Sequence, residues 1–284
     1  MRFNELEWIE YLRKRTRKSK SIFFGIGDDC AVIRQRGEWY LVTSDLFIED
    51  VHFKLEEISF LNIGKRAVAR AISDIAACGG VPAFVVVSAG IPLYVTTRQM
   101  KQVMRGIEEM AMLSGAHIVG GDTAKTERFF LDVWVMGKAK NPVLRSRAKT
   151  GDYIFVTGKI GKLPFNKPFM PKLKEATYLA ENFKINAMID VSDGFIIDLY
   201  RILELSKKGA LLYKDKIPVV SSPKDMYRGE DYELIFTVDR DESRIKVLKE
   251  KFYWVGYITD KRSGYYFDSK GKKERVNVTG FLHF

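Results

Sequence analysis

The stretch Ser21-Ile22-Phe23-Phe24-Gly25-Ile26-Gly27-Asp28-Asp29-Cys30-Ala31-Val32-Ile33 decides how the chain is read. Gly25-x-Gly27-x-x-Cys30 is one glycine short of the dinucleotide-binding fingerprint, which also requires a helix straight after the turn. Here apolar, β-branched residues return at once, so Ser21 to Phe24 and Ala31 to Ile33 read as strands around a glycine corner. A Rossmann fold is set aside, and two adjacent carboxylates, Asp28 and Asp29, remain at the corner.

Outward from that corner, Trp39 to Ser44, Ala83 to Ala89 and Phe130 to Met136 read as strands. Asn4 and Glu7 form a capping-box-like start for a helix through about Arg17. Between Asn62 and Cys78 the apolar residues Ile63, Ala67, Val68, Ala71, Ile72 and Ile75 share one helical face, and Gly79-Gly80 ends the run. Thr97 to Ser114 is a second amphipathic helix, with a methionine stripe suited to core packing. Ile118-Val119 leads into a glycine turn at Gly120-Gly121-Asp122-Thr123. The basic, irregular stretch from Lys138 to Gly151 is a linker, dividing the chain into 1–140 and 141–284. Beyond it, strands are expected at Tyr153 to Gly158, Asn186 to Ile189, Tyr232 to Val238 and Tyr253 to Ile258, with a helix from Phe195 to Lys207. With 284 residues, single cores tend to split, so the expectation is two domains of α/β (α+β) type.

Hydrophobic residues make up 46% of the chain and charged residues 29%, which excludes an intrinsically disordered segment. The net charge of +11 admits nucleic acid, anionic membranes or phosphorylated ligands as partners. Arg13 to Lys20 is strongly basic and reads either as a solvated helix end or as a phosphate contact. No nucleic-acid-binding module is legible. No apolar run reaches the ~18 residues that a membrane span needs. Cys30 and Cys78 lack disulfide-framework or metal-type spacing. The expectation is a cytoplasmic protein with buried thiols.

The informative charges are acidic. Asp28, Asp29, Asp45, Asp74, Asp122, Asp190, Asp193, Glu230 and Asp231 each fall at a strand end, a glycine turn or a helix end. One such aspartate is ordinarily a turn or cap residue. A converging set would repel by roughly 4 kcal/mol per close pair at an effective dielectric of 20, and so would need cations. All-oxygen ligands point to Mg²⁺ or Mn²⁺ rather than zinc, and magnesium commonly completes its shell with substrate phosphates. No Walker-type loop, nucleophile elbow or Cys/His pair is present. A nucleoside-triphosphate site built on metal-binding carboxylates is therefore the working hypothesis.

At these residues the chain resembles the thiamine-monophosphate kinases of the aminoimidazole-ribonucleotide-synthetase-like superfamily. The matching blocks are Gly25-Ile26-Gly27-Asp28-Asp29-Cys30-Ala31, Thr43-Ser44-Asp45 with His52-Phe53, and Ser73-Asp74-Ile75-Ala76-Ala77 with Gly79. They continue with Gly120-Gly121-Asp122-Thr123, Asp190-Val191-Ser192-Asp193-Gly194, Gly229-Glu230-Asp231-Tyr232-Glu233-Leu234 and the terminal Phe281-Leu282-His283-Phe284. The resemblance implies two domains, the first pairing with its twin in a barrel-like homodimer interface. It implies ATP- and Mg²⁺-dependent phosphorylation of thiamine monophosphate to thiamine diphosphate by direct transfer. It would place Asp29, Thr43, Ser44, Asp45, Asp74, Asp122, Asp190 and Asp193 on magnesium. Gly121, Asp122, Arg145 and Ser192 would contact ATP, and His52, Glu230 and Phe281 the thiamine monophosphate. Ligases of purine synthesis and selenophosphate or hydrogenase-maturation relatives are the alternative readings within the superfamily.

The sequence departs from that pattern after Gly158, where the family opens a helix and this chain runs Lys159-Ile160-Gly161-Lys162-Leu163-Pro164-Phe165. Arg228 also stands where the family has a glycine. Both departures lie in the half expected to face the acceptor.

Overall fold

The computed structural model describes residues 5–16 and 19–280. The Asn4 cap, part of the basic run (residues 17 and 18) and the terminal block with Phe281 lie outside the described residues.

The first half is a six-stranded sheet formed by β1 (Ile22–Phe24), β2 (Ala31–Gln35), β3 (Glu38–Ile48), β4 (Val81–Ile91), β5 (His117–Lys125) and β6 (Phe130–Ala139), in the order β1-β2-β3-β6-β4-β5. Only β4 and β5 run parallel. The crossover between them carries α3 (Thr97–Leu113), which starts at a Thr96/Gln99 capping box. α2 (Phe60–Ala77) packs beside it, capped by Ser59, while α1 (Glu5–Arg15) precedes the sheet.

α2 and α3 approach closely because each presents a glycine at the crossing. A Cβ on Gly64 would sit 2.1 Å from the Val103 carbonyl oxygen, and one on Gly106 would sit 2.0 Å from that of Leu61. Ile63, Ile72, Ile75, Val103 and Ile107 fill the space beneath against Leu41, Val85, Leu131, Val133 and Val135. Burying each such aliphatic side chain stabilises the fold by about 1.5–3 kcal/mol before entropy is counted.

The second half is a seven-stranded sheet in the order β13-β12-β9-β11-β7-β10-β8. Its strands are β7 (Tyr153–Val156), β8 (Ile185–Asp190), β9 (Lys208–Tyr213), β10 (Leu234–Val238), β11 (Tyr253–Asp260), β12 (Tyr265–Ser269) and β13 (Lys272–Arg275). α4 (Leu173–Asn182), α5 (Phe195–Ser206) and α6 (Ile245–Lys251) accompany it. Among the described residues no helix is long and apolar enough to cross a membrane.

Several boundaries differ from expectation for physical reasons. β3 runs on to Ile48, because Asp45 and Leu46 stay in the ladder opposite Val133 and Asp132; Asp45 is inside a strand, not at its end. The expected glycine turn at residues 120–123 is extended and lies within β5, where Gly121 pairs with Val87. A Cβ at Gly121 would lie 2.0 Å from the Val87 carbonyl oxygen, so the glycine serves close strand approach. β10 starts at Leu234 rather than Tyr232, since Glu230 (φ 71°) and Tyr232 (φ 52°) are left-handed. No helix forms between residues 158 and 172, in keeping with the departing sequence, and α4 follows that loop.

Candidate active site

The site lies where the two halves meet, and α2 supplies its floor. Arg66, Arg70 and Asp74 are spaced by four residues, so they form one polar stripe along a helix otherwise buried among apolar side chains. Asp74 meets Asp29, from the glycine corner before β2, and Asp190, from the end of β8. One carboxylate oxygen of each lies within 4.8 Å of the others. The Thr43 hydroxyl donates to Asp74 at 2.6 Å and the Ser73 hydroxyl to Asp190 at 2.6 Å. Asp190 Oδ1 is buried without a hydrogen-bond partner, which is costly for a carboxylate unless a cation meets it.

Burial pushes the Asp74 and Asp190 carboxyls well above their usual range, and the neighbouring carboxylates add to it, Asp190 on Asp74 and Asp29 on both. Burial, together with Asp29, pushes Asp28 up to about 7. Arg145 partly compensates: its guanidinium pairs with both oxygens of Asp29, and its backbone N–H donates to Asp28 at 3.1 Å. Three carboxylates this close repel by roughly 3–4 kcal/mol per pair at an effective dielectric of 20. Hard oxygen donors, an orphaned oxygen and mutual repulsion together fit a divalent cation such as magnesium.

A cavity of about 370 Å³ opens onto this group, lined among others by Ser44, Asp45, His52, Arg70, Ser192, Asp193 and Glu230. The Ser44 hydroxyl donates to Asp132 at 2.5 Å. Asp45 accepts from Arg70 Nε at 2.9 Å. Asp193 pairs with Arg201 at 2.6 Å, and Arg201 also binds Asp198 at 2.5 Å. Asp198 receives the backbone N–H groups of Asp193 and Gly194, both at 3.0 Å, which fixes the turn at the start of α5. The His52 ring stacks on Phe47, and its Nδ1 accepts the Ile48 N–H at 3.0 Å.

The cavity thus gathers Asp45, Asp74, Asp190, Asp193, Ser44, Ser192, His52 and Glu230 of the residues singled out from sequence, with Asp29, Thr43 and Arg145 directly behind them. Gly121 and Asp122 do not join this group. They lie on exposed β5 and line a separate hollow with Val103 and Ile107 of α3. Phe281 is outside the described residues.

Sequence reasoning missed Arg66, Arg70, Ser73, Asp198 and Arg201. Arg66 is fully buried, and its Nη1 donates to the carbonyls of Pro164 (3.2 Å) and Lys167 (2.6 Å). With the Arg228 guanidinium, which donates to Leu163 O at 3.1 Å and stacks on Phe165, it fastens the helix-less loop over the cavity. Both Arg66 and Arg70 pair with Glu230. Burial opposes ionisation of Glu230, but Arg70 and Arg66 outweigh it and hold its carboxyl below the usual range.

Two domain families cover this architecture. The N-terminal domain of AIR synthase related proteins matches residues 27–139, and the C-terminal domain matches residues 150–268. The fold and site therefore define a two-domain AIR synthase related protein. Within that class the chain belongs to the thiamine-monophosphate kinase family. It is 32% identical to the thiamine-monophosphate kinase of Rhodopirellula baltica, covering 98% of this chain and 97% of that one. Identity to the Bacillus subtilis thiamine-monophosphate kinase is also 32%, over 91% of this chain and 92% of the relative. The structure of AaThiL complexed with AMPPCP and TMP superposes with a TM-score of 0.85 at 23% identity, covering 100% and 99% of the two chains; at that identity the likeness concerns the fold.

Proposed function

We propose that the chain transfers the γ-phosphoryl group of ATP to the phosphate of thiamine monophosphate, giving thiamine diphosphate and ADP. A phosphate oxygen of the acceptor forms the new bond to the γ-phosphorus while the bond to the β–γ bridging oxygen breaks. The acceptor is already largely ionised near neutral pH, so no strong general base is required, and none is needed from His52. Such transfer depends on alignment and charge neutralisation. The carrying observation is the buried group Asp29, Asp74 and Asp190, with its orphaned oxygen, opening onto a cavity between the two halves. AaThiL, with AMPPCP and TMP bound, supports the same pair of ligands.

Magnesium would be held by Asp29, Asp74 and Asp190, with Thr43, Ser44, Asp45 and Asp193 around them, and when bound would offset the charge of the phosphates. Arg145 and Ser192 would serve ATP, and Gly121 and Asp122 would do so from β5. His52, Glu230 and, at the terminus, Phe281 would stand at the acceptor's end. The division at residues 140 and 141 separates the metal- and ATP-holding half from the second half, and we place the protein in the cytoplasm.

A homodimer belongs to the same proposal. β6 alternates strictly: Leu131, Val133 and Val135 are buried, while Trp134 and Met136 point to the other face, still partly exposed. That second face and the exposed β5 edge suit a second copy of the sheet.

The decisive experiment combines purified protein, ATP, Mg²⁺ and thiamine monophosphate and measures thiamine diphosphate. Product confirms the reading; its absence, with ATP binding verified separately, overturns it.

A further inference from the structure

Arg70 takes no part in the proposed metal and nucleotide contacts, yet its side chain lines the cavity. Its Nε and Nη2 lie 2.9 and 3.3 Å from the two oxygens of Asp45, and its Nη1 pairs with Glu230. The guanidinium packs against Phe47 (5.3 Å to the ring centroid) and Tyr232 (5.9 Å). It is therefore fixed both at its donor edges and by rings, while its side chain still lines the cavity together with Asp74, Asp190 and His52.

Glu230, by contrast, is fully engaged. Its Oε2 meets Arg66, and its Oε1 meets both Arg70 and the Tyr232 hydroxyl (3.0 Å). A carboxylate already shared by two guanidiniums has little attraction left for the thiazolium cation of an acceptor. The charge balance of this wall is two cations, Arg66 and Arg70, against Glu230 and Asp45. Asp45 would be among the residues holding a divalent cation, and the Arg70 edge it pairs with here (2.9 and 3.3 Å) would then be free to meet an anion.

The geometry points to Arg70 as the group that binds the phosphate of the acceptor, so that this wall selects a phosphate monoester over the free alcohol. The planar fork of a guanidinium matches two phosphate oxygens, which an ammonium does not. Arg66 is the positioning residue: it occupies Glu230 from behind and ties down the loop carrying Pro164 and Lys167. This inference rests on the proposed kinase activity and refines how that site recognises its acceptor.

The test is calorimetric binding of thiamine monophosphate and of thiamine, with Mg²⁺ and no nucleotide, to wild type, Arg70→Met and Arg70→Lys. Loss of a charge-assisted, bidentate contact should weaken thiamine monophosphate by about tenfold to a hundredfold in Arg70→Met. Thiamine affinity should stay within about twofold, because it carries no phosphate. Arg70→Lys should fall between, and it reads the same ratio if the Met variant fails to fold. In turnover, the KM for the acceptor should rise while that for ATP holds. A variant that weakens both ligands equally, or neither, overturns the inference even when wild type turns over normally. Wild type that binds neither ligand and yields no thiamine diphosphate overturns the kinase reading itself, and this inference with it.

Discussion

Asp74 and Asp190 are held at a cost. Their folded carboxyls are pushed up by burial and by neighbouring carboxylates, Asp190 and Asp29 acting on Asp74 and Asp29 on Asp190, a cost that a bound cation would offset. Asp74→Asn should therefore lower turnover by orders of magnitude while raising the melting temperature of the metal-free protein; unchanged kinetics would remove Asp74 from the site. The same imbalance has a pH signature. Asp28 and Asp198 are each raised, chiefly by burial, from the ordinary 3.8 to about 7. A raised folded pKa means that the folded state holds the proton more tightly. The stability contributed by these two groups is complete below about pH 4 and is lost as the pH rises through about 7. The metal-free melting temperature should decline from about pH 5 to about pH 8, less steeply in Asp28→Asn, and added Mg²⁺ should restore more at the higher pH. A decline identical in wild type and Asp28→Asn would dismiss this account. At this scale the carboxylates were legible in the sequence, because aspartates beside glycines and strand ends are conspicuous. Arg66 and Arg70 were not. The apolar periodicity of residues 62–78 masks them, although their spacing from Asp74 marks a polar stripe that a largely buried helix must satisfy.

The helices and strands of the first half were foreseen to within a few residues, since hydrophobic period and glycine stops agree there. β5 was not, because its consecutive glycines look like a turn until β4 passes alongside. α4 follows a proline and has no side-chain cap, and α6 is only two turns long, so neither announces itself locally. The close crossing of α2 and α3 yields an element-scale prediction. Gly64→Ala places a methyl 2.1 Å from the Val103 carbonyl oxygen, so the helices must separate. A loss of about 1–3 kcal/mol is expected from such overpacking, readable as a lower denaturant midpoint with an unchanged slope. Because Arg66 and Arg70 ride on the same helix, acceptor KM should rise in parallel; a wild-type midpoint would show that the helices have slack.

For the whole molecule, the sequence conveyed two domains but not their joint. The +11 charge first invites a polyanionic partner, whereas the carboxylates, a minority, line the cavity between the halves. If the uncovered sheet face seats a second copy, light scattering should give about twice 32.6 kDa. Trp134→Glu, which sets a charge on that face, should then yield monomers; a monomeric wild type would refute the dimer.

The far end of α2 carries one more consequence. Its last two residues, Ala76 and Ala77, are buried not with the first sheet but among Phe155, Leu179 and Phe236 of the second half. One rigid rod is thus shared by two interiors, and melting either half strips the helix from the other. Thermal denaturation should accordingly be a single calorimetric event, with equal van't Hoff and calorimetric enthalpies. A fragment ending at the linker would carry the naked end of that rod and a charged Arg66 with no carboxylate to meet, and it should aggregate rather than fold. The two halves would then melt as one cooperative body, with the cavity that we propose holds the ligands lying at its seam.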